Sequence, residues 1–214
     1  MTDDANTRTG GGSAPSTPSV RFARSEDAPA LRDIYAPIVR ETAISFAETP
    51  PSVAGLRADV VDDRYPWLVC TAGDAAPRVV GFAKASAHKE RGAYRWAVDV
   101  SAYVRAGWRG RGVGSALYEA LLETLTAQGF RIAVAVIALP NPASVALHES
   151  AGFEPVGTFP AVGFKNGAWH DVGWWQRSLG DRPNHPTPPV PVARVEGDDR
   201  VVSALGRAAE RVGR

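Results

Sequence analysis

Cysteine and net charge are both scarce in this sequence. Cys70 is the only cysteine among 214 residues, which excludes an internal disulfide and any zinc site built from several thiolates. The 24 Lys and Arg residues nearly balance the 23 Asp and Glu residues, so no strong field points to a nucleic acid or an anionic membrane as partner. Cys70 itself lies in the apolar run WLVCTA, where a buried small hydrophobe is the favoured interpretation.

Long apolar runs are missing as well. No stretch approaches the ~20 apolar residues that span a bilayer. The first 19 residues contain no apolar segment of the kind that a secretory signal requires. We therefore predict a cytoplasmic protein. The hydrophobic fraction of 44% and the charged fraction of 22% are ordinary, and the length suits one full-sized core.

Three segments of the chain differ in composition. Residues 1–19 are rich in Gly, Ser, Thr and Pro, which predicts a disordered leader. Residues 20–179 carry the helix and strand periodicities of a single domain. Residues 180–214 begin as a proline-rich extended tail and end in a stretch that could form a short amphipathic helix. Because neither tail shows enough apolar periodicity to join the core, we expect both to be dispensable.

The pattern of the central segment predicts its fold class. Its order is a strand, two helices, several antiparallel strands, a helix, a strand, a helix and two strands. One strand, YRWAVDVSAYV, alternates so that Val98 and Val100 share one face and Asp99 the other. The unbroken apolar run RIAVAVIA is typical of a strand covered on both faces. We predict an α/β fold with a mixed, mostly antiparallel central sheet and helices on both faces.

A glycine-rich turn, RGRGVG at 109–114, lies between a predicted strand and a predicted helix. Glycines allow close approach of the backbone to a ligand, and the free N–H groups of a helix's first turn attract an anion such as a pyrophosphate. A flexible connection between strand and helix explains three glycines equally well. The spacing is not that of GxGxxG, and no GK[ST] follows, so two nucleotide-binding motifs are excluded.

Several motifs in one order carry a more specific signal. Arg109, Gly112 and Gly114 resemble the Arg-x-x-Gly-x-Gly acyl-CoA loop of the GNAT superfamily of N-acetyltransferases, and NPASVALHESAGF at 141–153 resembles its second CoA-contacting helix. Most members have Tyr where this chain has His148, whereas His is typical of the phosphinothricin N-acetyltransferase group. The stretches ETAISF, RYPWLV, AVAVIALPN and GFKNGAWHDVGWWQRSL resemble that group too. The resemblance covers about residues 20–179 and implies the GNAT fold.

The resemblance implies acetyl-CoA as co-substrate, with no metal. Backbone groups of Ala102, Tyr103 and Val104 would hold the thioester and acyl arm. Asn141 would bind the pantetheine arm, although a helix-capping role is equally natural and both can hold. The full set of implied cofactor-binding residues is Ala102, Tyr103, Val104, Arg109, Gly110, Arg111, Gly112, Val113, Gly114, Asn141 and Ser144.

Two residues are candidates for the base that deprotonates the substrate amine. The resemblance points to Asp99, where the family normally has Glu; the shorter side chain could reach the amine only through a water. Alternatively, Asp99 pairs with Arg95 on the same strand. His148 is the second candidate, because imidazole exchanges protons near neutral pH, although a single His on a helix is more often structural.

The acceptor implied by the resemblance is a small amino-acid-like amine. Arg91 and Tyr94 would line its pocket, and Thr42 and Phe46 could close over it as a lid; a surface arginine and a packed aromatic are the plainer interpretations. We expect a homodimer and direct attack in a ternary complex, since no nucleophile elbow is visible. The rival hypotheses are an acetyltransferase of the same fold for another amine, and an acyl-CoA sensor without catalysis.

Overall fold

The computed structural model describes residues 16–73 and 77–213, which form a seven-stranded sheet and five α-helices within these ranges. The strands are β1 (Ser16–Phe22), β2 (Trp67–Gly73), β3 (Arg78–Ala87), β4 (Ala97–Val104), β5 (Ile132–Leu139), β6 (Glu154–Lys165) and β7 (Ala168–Ser178). Their spatial order is β1-β2-β3-β4-β5-β7-β6. Only β4 and β5 run parallel, so the sheet is mixed and mostly antiparallel, as the sequence predicts.

Helices cover both faces of this sheet, and the predicted fold class is confirmed. The helices are α1 (Ala28–Glu41), α2 (Val53–Val61), α3 (Val113–Gln128), α4 (Pro142–Ser150) and α5 (Asp199–Arg211). On one face α3 buries Leu117 and Leu121 completely in the main core. On the other face α1 and α2 pack over β2 and β3 around Trp67 and Phe82. Each layer buries the apolar stripe of a helix against the sheet.

The C-terminal segment is part of the fold, which corrects the expectation of a dispensable tail. The predicted short helix is present as α5, and it packs on α3 and β1 with Val201, Ala204 and Ala208 fully buried. The proline-rich stretch before it is tied to the core as well. The N–H of Val190 donates to the carbonyl of Gln128 at 2.9 Å. The sequence pattern underestimated this segment because an amphipathic pattern shows that a helix has an apolar face but not which elements that face meets.

The N-terminal boundary also differs from the prediction. Strand β1 begins at Ser16, four residues before the predicted start, and the hydroxyls of Ser19 and Thr71 are 2.7 Å apart across the β1–β2 pair. The polar residues at 16–19 therefore extend an edge strand, where one face meets solvent. The rest of the predicted leader, residues 1–15, lies outside the described residues.

Two further observations concern the single cysteine and the expected absence of a membrane span. Cys70 is completely buried, and this burial raises the pKa of its thiol to about 11, in keeping with a small core hydrophobe. No helix in the described part of the chain combines the length and the apolar character that a membrane span needs.

Candidate active site

The parallel pair β4–β5 opens into a gap. Pairing is limited to Ala97–Asp99 against Ile132–Val134, and the two strands diverge beyond these residues. Asp99 is therefore the last residue of β4 that pairs with β5, and it lies at the apex of the opening. The divergence also exposes Val136 to 44%, so the prediction that β5 is covered on both faces is wrong beyond Val134. A gap of this kind leaves backbone hydrogen-bonding groups without a strand partner, available to a ligand.

The hydrogen bonds of β3 and β4 determine which residues face the gap. The N–H of Arg105 donates to the carbonyl of Val80 at 2.9 Å, directed toward β3. Because successive residues of a strand direct their backbone groups to opposite edges, Tyr103 also bonds to β3, while Ala102 and Val104 face the gap. The expectation of three backbone ligands is therefore wrong for Tyr103, whose backbone the sheet uses.

The glycine-rich turn brings the start of α3 to the same gap. Gly110 and Gly112 have φ of 73° and 75°, a left-handed conformation that favours glycine. The first bond within α3 runs from the N–H of Ala116 to the carbonyl of Gly112 at 2.9 Å. The preceding amides of Val113, Gly114 and Ser115 thus have no partner within the helix. Free amides at a helix start are suited to bind an anion.

A cleft of about 510 Å³ connects the turn, the gap and α4. It contains most of the residues that the sequence suggests for cofactor binding, and it continues to the α1 side, where Ile38 and Ile44 line it. Sequence reasoning did not single out these two, nor Trp108, since an apolar lining residue carries no motif. The predicted residues in the lining are Ala102, Tyr103, Val104, Arg109, Gly110, Gly112, Val113, Gly114, Asn141, Ser144 and His148.

Arg111 is the one predicted cofactor residue outside this lining. Its guanidinium lies over the ring of Trp108, 5.1 Å from the ring centroid, and its carbonyl accepts the N–H of Gly213 at 3.0 Å. The side chain is thus directed to the outer surface of the turn, where a cation–π contact holds it. The Arg111 side chain and carbonyl thus contact Trp108 and the C-terminal segment, and a role of its main-chain amide in cofactor binding stays a prediction.

Asn141 begins α4 as its N-cap. Its side-chain oxygen accepts the N–H of Ser144 at 3.2 Å, and Pro142 follows at the first helical position. The capping role that the sequence suggests is therefore present. The same residue lines the cleft, so its side-chain NH₂ is available to a pantetheine amide.

His148 lines the cleft but has both ring nitrogens engaged. Nδ1 lies 2.7 Å from the carbonyl oxygen of Ser144, which can only accept, so Nδ1 carries the proton. Nε2 then accepts from the hydroxyl of Tyr118 at 2.7 Å. The side chain is only 5% exposed, and burial lowers its pKa. This arrangement corrects the expectation that His148 is a base, since no nitrogen is free to take a proton.

The lowered pKa of His148 predicts acid sensitivity. The unfolded chain takes up a proton near the ordinary value of about 6.5, whereas the folded protein resists it, so stability falls as pH drops below that value. We expect the unfolding free energy of the parent to decrease by at most about 1.4 kcal/mol per pH unit through this group. His148→Asn keeps a donor to the Ser144 carbonyl and should have a shallower dependence in urea unfolding between pH 7 and 5. Equal slopes would contradict this assignment.

Asp99 pairs with a residue that the sequence analysis did not consider. Its carboxylate oxygen lies 2.7 Å from Nδ1 of His88, at the end of β3. Burial raises the pKa of Asp99, and the bond to His88 opposes that shift. The suggested pairing with Arg95 is wrong: that guanidinium lies over Trp96, and its Nε donates to the Gly92 carbonyl at 2.8 Å. His88 is detectable in sequence only once the β3–β4 register is known.

Of the four suggested acceptor residues, Tyr94 contacts the His88–Asp99 pair, through the His88 ring. Tyr94 is 44% exposed and meets the His88 ring edge-on, with centroids 5.7 Å apart, and Arg91 precedes it on the same exposed turn. The Thr42 hydroxyl ends α1 by donating to the Ile38 carbonyl at 2.6 Å, so it is used structurally. Phe46 contacts His170 on β7, with centroids 6.1 Å apart.

The loop that contains Thr42 and Phe46 is held by Lys165. This β6 ammonium donates to the carbonyls of Val39 and Ala47 at 2.7 and 2.8 Å, and also to that of Ser45. The predicted lid is thus anchored to the β6–β7 hairpin. This anchor could not be predicted from the sequence, because an isolated lysine in a hairpin is usually solvated.

An opened parallel strand pair, an anion-binding helix start and a carboxylate at the apex define an acyl-CoA-dependent transferase. The chain matches the model of the Acetyltransferase (GNAT) family over residues 29–153 and belongs to that family. It is an acetyl-CoA-dependent N-acetyltransferase, so the predicted family, enzyme class and co-substrate are confirmed.

Characterised relatives share most of their length with this chain. It is 40% identical over 178 residues to the phosphinothricin N-acetyltransferase of Streptomyces viridochromogenes, a match that covers 82% of this chain and 95% of the relative. It is 39% identical over 165 residues to the L-methionine sulfoximine/L-methionine sulfone acetyltransferase of Pseudomonas aeruginosa, covering 75% and 94%. The crystal structure of a Sinorhizobium meliloti phosphinothricin acetyltransferase in complex with acetyl-CoA is similar, with a TM-score of 0.73, 40% identity and coverage of 80% and 94%.

Proposed function

We propose that this protein acetylates the amine of a small amino acid whose side chain ends in an oxygen-rich group, of the phosphinothricin or methionine sulfoximine and sulfone type. The observation that carries the proposal is the gap between β4 and β5, with anion-binding amides at one end and Asp99 at its apex. The acceptor class is supported by the relatives named for it, which match this chain over 94–95% of their length.

The backbone supplies the cofactor-binding groups. Amides of the α3 start bind the pyrophosphate, and the gap-facing groups of Ala102 and Val104 bind the acyl arm. The Ala102 N–H polarises the thioester carbonyl and stabilises the negative charge that develops there. Bound acetyl-CoA supplies the activated acyl group and a thiolate leaving group. No side-chain nucleophile is required, because the gap holds donor and amine together.

The two faces of the gap separate the two substrates. Val98 and Val100 turn into the core under α3, whereas Asp99 and Tyr103 point to the α1 side. The cofactor then lies along α3 and α4, and the amine approaches through the α1 side, where Asp99 assists its deprotonation. Arg91 and Tyr94 are the nearest candidates to bind the acceptor's carboxylate and oxygen-rich end. Both substrates must be bound at once, which requires a ternary complex.

An acceptor panel tests this proposal. Thiol release from acetyl-CoA is measured with L-phosphinothricin, L-methionine sulfoximine, L-methionine, spermidine and an alanyl peptide. We expect kcat/KM for L-methionine to be lower than for its sulfoximine by roughly 10²-fold or more, because donors placed for the missing oxygen are left unpaired.

The other outcomes separate the rival hypotheses. Turnover of the peptide or the polyamine alone would leave an acetyltransferase of this fold but reject the acceptor class. Binding of acetyl-CoA without thiol release for any amine would favour the sensor. Equal rates for L-methionine and its sulfoximine would contradict recognition of the oxygen-rich end.

We also propose a homodimer, with the β6–β7 hairpin as its interface, and a cytoplasmic location. β6 is an edge strand of the sheet. The hairpin exposes four large apolar side chains, Phe159, Val162, Phe164 and Trp169, by 56–65%, and clustered exposed apolar residues mark interaction surfaces. A second copy is the occupant, because an edge strand pairs readily with itself about a two-fold axis. Sedimentation equilibrium should give twice the chain mass for the parent and the single-chain mass for Trp169→Glu.

A further inference from the structure

The Asp99 carboxylate is hydrogen-bonded to the imidazole of His88, so two titratable side chains lie together at the apex of the gap. Asp99 lies on β4 directly opposite Ser86 of β3, and His88 is the first residue after β3 ends at Ala87, one diagonal step from Asp99. Residues two apart on a strand share a face, so both side chains are on the α1 side of the sheet, at the apex of the gap. The Nδ1 to Oδ1 distance of 2.7 Å is that of a charge-assisted hydrogen bond.

The surrounding rings hold the imidazole in one orientation. Tyr94 and Trp174 both meet it edge-on, with centroids 5.7 and 6.0 Å from that of His88. A ring enclosed in this way and bonded to a carboxylate through Nδ1 has few alternative rotamers. Its orientation is therefore set before a substrate arrives, as a catalytic group requires.

The bond to Asp99 also selects the tautomer. A carboxylate only accepts, so Nδ1 carries the proton and, in the neutral ring, Nε2 holds a free lone pair. Within residues 16–73 and 77–213, Nε2 has no hydrogen-bond partner. Nε2 is not a buried atom either. The His88 side chain is 14% exposed, so a small molecule can reach this nitrogen.

His148 shows the contrasting case in the same protein. Both of its nitrogens are bonded, and the phenol of Tyr118 behind it is fully buried. Of the two histidines near the gap, only His88 offers a free nitrogen.

We propose that His88 is a catalytic residue of the acetyl transfer, with Nε2 as the base and Asp99 as the group that orients it. This inference rests on the proposed function and identifies the proton acceptor within it. The imidazole extends the reach of a carboxylate that is one methylene shorter than the family's usual Glu. In this chain, the His88–Asp99 pair replaces the single long carboxylate.

The proton and electron balance of the step is simple. One proton of the substrate ammonium moves to Nε2 of His88, and the imidazolium is stabilised by Asp99. The freed nitrogen lone pair forms the C–N bond at the thioester carbonyl carbon, and the C–S bond breaks with its electron pair on sulfur. The second amine proton is lost as the amide forms, and the thiolate takes up one proton. The net products are the amide, the free thiol and one proton.

Other charged groups near the pair are few, which defines the expected pH dependence. Lys89 follows His88, and its positive charge favours ionised Asp99; its ammonium lies over Trp174, 5.7 Å from the ring centroid. Tyr94 is the other titratable neighbour, from the turn before β4. A general base must carry no proton to accept one, so turnover of the parent should rise with pH.

His88→Asn is the decisive variant, because the Asn amide takes the place of Nδ1 and keeps the bond to Asp99 while the base is removed. We expect a 10²–10⁴-fold lower kcat, the usual range for general-base assistance, with the KM for acetyl-CoA unchanged. The loss should shrink at high pH, where free amine is present without help. His185→Gln, at an exposed position after β7, is the matched control and should behave as the parent.

Two further variants test separately whether His88 is the base and whether Asp99 orients it. Asp99→Asn should lower kcat within the same range, because a neutral amide no longer fixes the tautomer or stabilises the imidazolium. The double variant His88→Asn with Asp99→Glu should recover part of the activity, because the longer carboxylate reaches the amine itself.

The results distinguish this inference from the proposed function. Parent-level kcat across the pH range in a folded His88→Asn protein would overturn the role of His88 and leave the transferase reaction intact. A loss that is independent of pH and accompanied by a lower melting temperature would show a structural role only, which also overturns it. Absence of thiol release in the parent with every acceptor would instead reject the proposed function.

Discussion

A protein truncated after Leu179 is expected to lose its stable fold. Residues 180–213 are not an appendage, since α5 covers α3 and β1 and the segment before it is hydrogen-bonded to the core. Removal would expose the part of α3 that α5 covers and cut two bonds between Gln128 and Val190: the Gln128 side-chain amide donates to the Val190 carbonyl at 2.8 Å, and the Gln128 carbonyl accepts the Val190 N–H at 2.9 Å. We expect the truncated protein to melt far below the parent or to be recovered unfolded.

The size of the effect follows from four valines in this segment. Val192, Val195, Val201 and Val212 are each at most 9% exposed. Full burial of a valine is worth roughly 1.5–3 kcal/mol, so the gross loss is on the order of 6–12 kcal/mol. The shorter chain has fewer residues to order, and this smaller entropy cost offsets part of the lost burial energy. A domain is stable by only about 5–15 kcal/mol in total, so the remaining loss is large.

Neighbouring residues on α5 provide matched variants. Val201 is fully buried and Val202 is 53% exposed. Val201→Asp should reproduce much of the destabilisation in thermal and urea unfolding, because it buries an unpaired charge, whereas Val202→Asp should behave as the parent. Removal of residues 1–15 is the control at the other terminus. A truncated protein with parental melting temperature and turnover would contradict this account of α5.

Gly112→Trp is expected to abolish acetyl-CoA binding. A left-handed φ of 75° costs a non-glycine residue about 1–3 kcal/mol. A Cβ at this position would lie 2.6 Å from the carbonyl oxygen of Arg211, so the turn or the end of α5 must move. Either shift displaces the first-turn amides that face the pyrophosphate. Each charge-assisted bond is worth about 1.5–3 kcal/mol, and losing two weakens binding by roughly 10²–10⁴-fold.

Comparison of Gly110 with Gly112 separates the effect of backbone strain from the effect of displacing the turn. It has nearly the same φ, 73°, but no described atom lies within 4 Å of its Cβ position. Gly112→Ala should therefore weaken acetyl-CoA binding in calorimetry, and Gly110→Ala should cost some stability but keep most of the affinity. Unchanged affinity in a folded Gly112→Trp protein would remove this turn from the cofactor site.

Local features of the fold and site were predictable from sequence. The glycine-rich turn, the Asn141 cap and the order of the elements depend on residues close together in the chain. Family motifs then indicated the gap-facing backbone of β4, because the motif carries the sheet geometry with it. These predictions needed no knowledge of which distant residues meet.

Features that depend on distant contacts were not predictable in this way. The His88–Asp99 pair requires the register of β3 against β4, and the two engaged nitrogens of His148 require Tyr118, thirty positions away. The packing of α5 was missed because its amphipathic pattern does not show that Val201, Ala204 and Ala208 meet α3 and β1. The burial of a helix depends on the elements that it packs against, and the composition of the helix alone does not identify them.

We propose above that an acetyl group moves directly from acetyl-CoA to an amino acid amine in the gap between β4 and β5. The most direct test combines acetyl-CoA, L-phosphinothricin and the full-length protein, and follows product by mass spectrometry. We expect N-acetyl-phosphinothricin in amounts equal to the released thiol, intersecting lines in double-reciprocal plots when both substrates are varied, and no acetylated enzyme. Parallel lines with an acetylated protein, or thiol release without N-acetyl product, would contradict it.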